Sequence, residues 1–237
     1  MRQEIIQKLY DLNQTFYSRM AGEFASSRSI PWPGWQKLWH YFEEEQYYPD
    51  NILDVGCGNG RFLDFVAKKL TGFKYLGIDS SRELLQIAKQ KYQSKSVRFE
   101  YHDLRNQIKL KDYYELIVIF AVLHHIPGFT NRAEILSSFA GRLIDSTFLV
   151  FTEWNIATDQ KLSKKILPWY EAGIDEKQLE AGDLLLDWKK SGVHRYYHSF
   201  NEEEITELLK LAGLKLKLKY KADGANGDLN TYYVCTR

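Results

Sequence analysis

The sequence has little of what would place it in several large classes of protein. Only two cysteines, Cys57 and Cys235, occur among its 237 residues, and their positions fit neither a disulfide framework nor a metal-ligand spacing. We therefore expect no metal site, and a reducing compartment, the cytoplasm. Basic and acidic side chains nearly balance, 32 against 31, so the net charge indicates no particular class of partner. No apolar run is long enough to span a membrane and the first residues contain no apolar signal segment, so we expect no membrane association.

The most informative stretch is Asn51–Arg61, where an apolar run ends in three glycines at alternate positions. An amphipathic run follows, with apolar side chains spaced to share one helical face. The pattern predicts a buried strand, a tight glycine turn and a helix. Glycine lets a ligand approach the backbone closely, and the N-terminus of the helix offers unbonded N–H groups and a partial positive charge. The stretch therefore predicts a ligand-binding loop, with a purely structural turn as the alternative.

Two common phosphate-binding fingerprints do not fit this loop. The third glycine of a dinucleotide fingerprint would fall on Arg61, and no Gly-Lys-Ser/Thr sequence follows the loop. The stretch from Asp54 to Gly60 instead resembles motif I of the class I S-adenosylmethionine-dependent methyltransferases, in which the loop cradles the methionine part of the cofactor. The resemblance implies that the cofactor is bound by Asp54, Gly56, Cys57, Gly58, Asn59 and Gly60.

Acidic residues follow the next two predicted strands. The strand over 73–78 ends at Asp79, and a helix start with Ser80 or Ser81 as its cap comes next. A carboxylate at this point can accept hydrogen bonds from ribose hydroxyls. The strand over 97–101 leads into Asp103, which matches the position from which the same family contacts the adenine amino group. We assign Asp79, Ser80, Asp103 and Leu104 to the cofactor; a plain turn or capping role is the alternative.

The fourth predicted strand, over 114–120, is continuously apolar, as expected for a strand covered on both faces. It runs into Ala121-Val-Leu-His-His-Ile-Pro127, which resembles motif IV of that family. The resemblance implies that Phe120 contacts the cofactor and that His124 lies near the methyl-transfer centre, where it touches the substrate. One of the two neighbouring histidines, His124 and His125, is expected to be structural, since the pair without further ligands does not make a metal site.

The segments on either side of these motifs suggest additions to the basic fold. Residues 4–24 have helical periodicity, residues 34–48 predict a further helix, and Pro31 and Pro33 between them predict an extended turn that holds Trp32 beside Arg28. The stretch 155–197 carries lysines and tryptophans that are able to grip RNA, although a solvated lysine face is the commoner explanation. A capping box from Asn201 to Glu204 predicts a late helix, and the strands that follow it predict a hairpin.

Three further segments narrow the resemblance. Phe24–Pro33, Gly182–Lys189 and Arg195–Phe200 are similar to signatures of the tRNA wobble-uridine carboxymethyl methyltransferases. That resemblance implies esterification of the carboxylate of 5-carboxymethyluridine in the tRNA anticodon loop, with S-adenosyl-L-methionine converted to S-adenosyl-L-homocysteine. Eukaryotic relatives act with a small zinc-binding activator subunit, and the sequence leaves open whether this chain needs one.

The chemistry of that substrate suggests which side chains act. A carboxylate is ionised at neutral pH and needs no general base, while arginine can hold it with two hydrogen bonds. We therefore expect Arg28 and Arg195 to bind the carboxylate. Tyr197, Trp32, His124 and His198 are expected to shape the uridine pocket, with His124 and Tyr197 also close to the reacting atoms.

The fold implied is one α/β domain over residues 1–237, with a mostly parallel seven-stranded sheet, an antiparallel C-terminal hairpin and helices on both faces. A helical arm, residues 1–48, and an insertion, residues 155–197, are expected to cover the cofactor cleft. Two other functions stay open: a small-molecule carboxyl- or O-methyltransferase, and a non-catalytic cofactor-binding partner subunit.

Overall fold

The structure is a computed structural model, and it describes residues 1–26, 30–106, 110–156, 162–187 and 192–237. Six α-helices occur in the described part of the chain: α1 (Gln3–Ser26), α2 (Pro33–Glu44), α3 (Arg61–Val66), α4 (Arg82–Lys91), α5 (Phe129–Ala140) and α6 (Glu202–Leu211). The strands of the described residues are β1 (Asn51–Val55), β2 (Lys74–Asp79), β3 (Val97–Tyr101), β4 (Tyr114–Ile119), β5 (Leu143–Trp154), β6 (Ile166–Leu167), β7 (Asp183–Asp187), β8 (His194–His198), β9 (Lys215–Ala222) and β10 (Asn230–Thr236).

Seven strands form the main sheet in the order β3-β2-β1-β4-β5-β10-β9. The first five are mutually parallel, whereas β10 runs antiparallel to both β5 and β9. β1 lies between β2 and β4, so the chain leaves this point of the sheet in two directions and opens a crevice beyond the strand ends. The predicted α/β fold with a mostly parallel sheet and an antiparallel C-terminal hairpin is confirmed.

Helices pack on both faces of the sheet, and the side chains that alternate along a strand therefore enter two different apolar clusters. In β1, Ile52 joins the cluster formed with α2, α3 and α4, while Leu53 and Val55 join the cluster formed with α5 and α6. The central strand β4, covered on both faces, is accordingly buried at five of its six residues. This packing holds the carboxyl ends of β1, β2 and β4 in place at one edge.

A second, smaller sheet is formed by β6, β7 and β8, all antiparallel. Its apolar face buries Leu185 and Tyr196 against Ile5 and Leu9 of α1. The N-terminal helix and the segment between β5 and α6 thus pack on each other beside the main sheet.

Several predicted boundaries shift in the structure. Residues 3–26 form one helix, and α2 begins at Pro33, because the first helical position tolerates the missing N–H of proline. α5 begins at Phe129, directly after Gly128. β5 begins at Leu143 and has an irregular register opposite β4. Among the described residues, no helix combines the length and apolar character needed to cross a bilayer.

Candidate active site

A cleft of about 310 Å³ opens at the carboxyl ends of β1, β2, β3 and β4, and α1 forms its opposite wall. Of the residues that the sequence assigns to the cofactor, all but Gly60 line it: Asp54, Gly56, Cys57, Gly58, Asn59, Asp79, Ser80, Asp103, Leu104 and Phe120. Gly60 instead precedes α3 in a left-handed conformation and serves as the N-cap residue. The fold therefore brings strand-end residues far apart in sequence to one cavity.

The glycine loop needs glycine at two of its positions for reasons that the structure makes explicit. Gly56 has a φ of +71°, and a Cβ placed there would lie 2.3 Å from Cγ2 of Val122. Gly58 has a φ of +55°, a conformation that side chains other than glycine adopt rarely. The loop consequently presents bare backbone to the cleft.

Asp79 ties this loop to the end of β2. One carboxylate oxygen accepts from the Gly58 N–H at 2.8 Å and the other accepts from the Ser81 N–H, also at 2.8 Å. Burial raises the pKa of Asp79, although those backbone N–H groups oppose the shift. A carboxylate offers about four acceptor positions, more than these backbone N–H groups use, so the side chain remains able to accept from ribose hydroxyls.

Asp54, under the loop, is 3% exposed. The hydroxyl of Tyr75 donates to its carboxylate. Burial raises the pKa of Asp54 to about 7, against the opposing effect of the hydrogen bond from Tyr75. Burial therefore favours the protonated form of Asp54 up to about neutral pH.

Asp103, at the other end of the cleft, is clamped by Arg105. The Arg105 Nε lies 3.0 and 2.9 Å from the two carboxylate oxygens of Asp103, and a terminal nitrogen lies 2.5 Å from the second. Burial would raise the pKa of Asp103, but these hydrogen bonds hold it below its usual value. The carboxylate is thus ionised and fixed in orientation.

Just beyond the end of β4, one residue has a left-handed backbone conformation that was not predicted from the sequence. Ala121 has a φ of +56°, and the hydroxyl of Thr152 accepts from its N–H at 2.9 Å. A strained residue of this kind is held by its surroundings and is frequent at ligand sites. Ala121 lines the cleft directly after Phe120.

Of the two adjacent histidines, His125 lines the cleft, and not His124 as expected. The His125 Nδ1 lies 3.1 Å from the carbonyl of Tyr196, and its Nε2 lies 3.0 Å from the hydroxyl of Tyr17. Since a carbonyl only accepts, a proton is on Nδ1, and Nε2 shares the second hydrogen bond with the Tyr17 hydroxyl. His124 is fully buried and does not line the cleft; its ring packs at 4.5 Å from that of Tyr197.

The predicted substrate residues of β8 lie behind the cleft wall. Arg195 is 3% exposed, and its guanidinium lies over the rings of Phe16 and Trp154. The Tyr197 hydroxyl accepts from the N–H of Trp154 at 2.9 Å and donates to its carbonyl at 2.5 Å. Neither side chain reaches the cavity, because the small sheet turns this strand toward its own core. Trp32 does line the cleft, and Arg28 lies outside the described residues.

His198 belongs to a buried network of ionic groups outside the cleft. Its ring bonds Asp183 at 2.7 Å and Glu204 at 2.8 Å. Arg132, 1% exposed, bonds Glu204 and Glu180. Glu180, Asp183 and His198 bring three potential metal-ligand atoms within 4.8 Å of one another, but hydrogen bonds and ion pairs already engage all three. We expect this cluster to join the small sheet to α5 and α6.

Sequence reasoning missed the contribution of α1. Tyr10, Asn13, Gln14, Tyr17 and Ser18 form one helical stripe along the cleft. Asn13 is 6% exposed; its amide nitrogen donates to the His125 carbonyl at 3.3 Å, and its Oδ1 has no partner among the described residues. The spacing of three and four residues was visible in the sequence, but its direction was not.

Arg61 and Trp35 were also missed. Arg61 is the first residue of α3 and lines the cleft together with Trp35. The only signal in the sequence was that Arg61 directly follows the third glycine. Both residues line the part of the cavity next to the glycine loop, whereas Asp103 lies at its other end.

The residues present fit S-adenosyl-L-methionine. The loop offers bare backbone, Asp79 has spare acceptor capacity, and two buried polar groups in the lining, Asn13 Oδ1 and Trp35 Nε1, lack partners within the described chain. A buried polar group without a partner is costly. The cleft is therefore complementary to a ligand with both donors and acceptors.

Comparison with known proteins gives a consistent result. A family model described as a methyltransferase domain matches residues 26–218. The chain is 25% identical over 167 residues to a carboxy-S-adenosyl-L-methionine synthase of Campylobacter hominis, covering 70% of this chain and 69% of that protein. It is 26% identical over 155 residues to a tRNA (carboxymethyluridine(34)-5-O)-methyltransferase of Arabidopsis thaliana, covering 65% of this chain and 34% of that protein.

A solved structure supports the fold. An S-adenosylmethionine-dependent methyltransferase from Clostridium acetobutylicum superposes with a TM-score of 0.66 at 15% identity, covering 94% of this chain and 98% of that one. With the match of the family model over most of the chain, the chain belongs to the class I methyltransferases, and its cofactor is S-adenosyl-L-methionine.

Proposed function

We propose that this protein methylates the carboxylate of 5-carboxymethyluridine at the tRNA wobble position, forming a methyl ester. The observation that carries the proposal is the state of the potential bases in the cleft. Each acidic side chain of the described lining, namely Asp54, Asp79, Glu83 and Asp103, already accepts a hydrogen bond. Both ring nitrogens of His125 are engaged as well, by the Tyr196 carbonyl and the Tyr17 hydroxyl. An acceptor that brings its own ionised nucleophile suits such a site.

The cofactor supplies an electrophilic methyl group on its sulfonium. The protein then has to orient the acceptor and exclude water, which accounts for much of the rate in a displacement of this kind. α1 forms one wall of the cleft, and the indoles of Trp32 and Trp35 lie beside Phe120 on another. These aromatic walls can stack on a nucleobase and keep the reacting atoms dry.

The name of the Arabidopsis relative supports the choice of acceptor. The alternative of a small-molecule carboxyl or oxygen acceptor uses the same cleft, and it makes the opposite prediction for tRNA. Tyr101, 39% exposed, carries the guanidinium of Arg82 at 4.0 Å at the rim of the cleft. An exposed cation on an aromatic ring is a common way to contact a nucleic acid.

A second candidate function is synthesis of carboxy-S-adenosyl-L-methionine. Six relatives from Campylobacter carry that name, and each aligns over 70% of this chain. In that reaction the carboxylate ends on the cofactor rather than on an RNA. The two functions therefore differ in their product: the first adds a methyl group to tRNA, whereas the second adds a carboxylate to the cofactor.

The test is incubation of the protein with methyl-labelled S-adenosylmethionine and two tRNA pools, one with 5-carboxymethyluridine and one without. Nucleosides and cofactor are then read by mass spectrometry, with the Asp79→Ala variant as the control for cofactor-dependent transfer. We expect labelled methyl ester in the first pool only. In a parallel incubation without tRNA, a metabolite extract supplies carboxylic acids as carboxyl donors, and a carboxylated cofactor formed there, with no methyl ester in either tRNA pool, would favour the second candidate. Transfer to neither pool, even with a zinc-binding activator subunit added, would contradict the proposal.

A further inference from the structure

Arg61 has no anionic partner in the described part of the chain. Its guanidinium lies 4.8 Å from the ring centroid of Trp32 and 5.0 Å from that of Trp35. Among the described residues, its hydrogen bond is a long one, 3.5 Å, to the carbonyl of Ile30. In the ranges that the structure describes, no carboxylate lies within ion-pair distance of it.

The surroundings of Arg61 make that isolation costly. Burial lowers the pKa of Arg61 to about 10, although Asp223 and Asp54 oppose the shift at longer range. The side chain is still charged at neutral pH. Asp223 is not available to it, since that carboxylate accepts from the Gly34 N–H, Asn230 and Tyr232. A partly desolvated cation favours an incoming anion.

Trp35 gives a second and independent indication. Its side chain is 2% exposed and lines the same cleft, and its indole N–H has no acceptor among the described residues. Indole nitrogen is only a donor, so the missing partner must be an acceptor. A lone donor beside a lone guanidinium, with both residues in one cavity, is the pattern expected of an anion site.

We propose that the Arg61 guanidinium and the Trp35 indole N–H form a carboxylate-binding subsite of the cleft, with Trp32 covering the guanidinium. Two carboxylates can reach it. One is the amino-acid carboxylate of S-adenosylmethionine, and the other is that of the acceptor; the acceptor case rests on the function proposed above. A guanidinium binds either through paired hydrogen bonds.

The subsite is tested with two ligands that differ only by the carboxylate, S-adenosylmethionine and its decarboxylated form. Their Kd values are measured by calorimetry for the wild type, Arg61→Gln and Trp35→Phe. Arg98→Gln is the matched control, since Arg98 pairs with Asp112 on the protein surface. Thermal unfolding establishes that each variant is folded. Where tRNA is methylated, the KM for tRNA is measured as well.

If the cofactor occupies the subsite, both cleft variants weaken S-adenosylmethionine about tenfold or more and leave the decarboxylated ligand within twofold. If the acceptor occupies it, both Kd values stay unchanged and the KM for tRNA rises about tenfold. Equal weakening of both ligands, or no change in Kd and KM, overturns the subsite. If the wild type methylates no tRNA, the proposed function is contradicted. The subsite is then tested only by comparing the Kd values of the two ligands.

Discussion

At the residue scale, Asp79 orders the glycine loop and is the residue we propose for binding the ribose of the cofactor. Its carboxylate accepts from the Gly58 and Ser81 N–H groups, so it orders the glycine turn before any cofactor arrives. The same oxygens are the acceptors assigned to the ribose hydroxyls. Asp79 lies outside the two main apolar clusters. Its replacement is therefore expected to leave the hydrophobic core of the fold intact.

We predict that Asp79→Asn weakens S-adenosylhomocysteine binding about tenfold or more, since an amide replaces one acceptor oxygen with a donor. Calorimetric titration measures the Kd. The surface variant Asp112→Asn should bind as the wild type does. Unchanged affinity in Asp79→Asn would contradict the assignment of Asp79 to the cofactor.

Asp54 makes stability depend on pH in a direction that follows from its environment. Burial raises its pKa to about 7 in the folded protein, above the usual value near 4. The folded state therefore holds this proton more tightly than the unfolded state, and its stabilising effect is lost as pH rises from about 4 through about 7. Glu153, whose pKa burial also raises to about 7, acts in the same direction.

We predict that the free energy of unfolding of the wild type falls between about pH 5 and pH 8, and that Asp54→Asn falls less steeply. Urea unfolding at a series of pH values measures both. Comparing the two proteins removes the contribution of Glu153 and of other groups. Parallel pH profiles would show that Asp54 is not protonated in the fold.

At the scale of elements, the buried ionic network joins the small sheet to the main domain. Asp183 and His198 come from β7 and β8, Arg132 from α5 and Glu204 from α6. Burial alone would lower the pKa of His198, but the hydrogen bonds to Asp183 and Glu204 raise it above its usual value. Its charged form is thus favoured in the fold, a stabilisation present below about pH 6.5 and lost as pH rises through the raised pKa.

We predict that His198→Ala lowers the free energy of unfolding by roughly 3–5 kcal/mol, because it leaves buried carboxylates without their partner. Denaturant unfolding measures this loss, and the Kd of the folded variant for S-adenosylhomocysteine should stay close to that of the wild type. His40→Ala, at an exposed histidine of α2, is the control. A stable variant with an increased KM for tRNA would instead restore the substrate role expected from the sequence.

The motifs of the main sheet were predictable because each couples a strand end to one residue type. The tight turn after β1 needs glycine for its positive φ, and the acid at the end of β2 accepts hydrogen bonds from backbone N–H groups. Parallel strands bring those two strand ends to one edge of the sheet. The roles expected for Arg195, Tyr197 and His198 depended on which way β8 faces. Alternation along a strand predicts two faces but not which of them a small sheet buries, so these side chains were expected at the cleft and are found behind it.

At the scale of the whole molecule, residues far apart in the chain enclose one cavity. The stripe of α1 forms one wall, the strand ends and glycine loop form the base, and Trp32, Trp35 and Arg61 close a third side. Helical periodicity could indicate that α1 packs on something, yet the apolar stripe on the small sheet and the polar stripe on the cleft are distinguished only by tertiary contacts. The aromatic surroundings of Arg61 likewise depend on tertiary contacts, with Trp35 of α2 and with Trp32 directly before that helix.

We propose that this cavity directs a methyl group from S-adenosylmethionine to a carboxylate. The most direct measurement is the alkali lability of the methyl group transferred to tRNA that contains 5-carboxymethyluridine. Mild alkali hydrolyses a methyl ester and releases methanol, whereas methyl groups on nitrogen, carbon or ribose oxygen remain attached. We predict that nearly all of the label is released as methanol. Label that stays on the RNA after alkali would contradict carboxylate methylation.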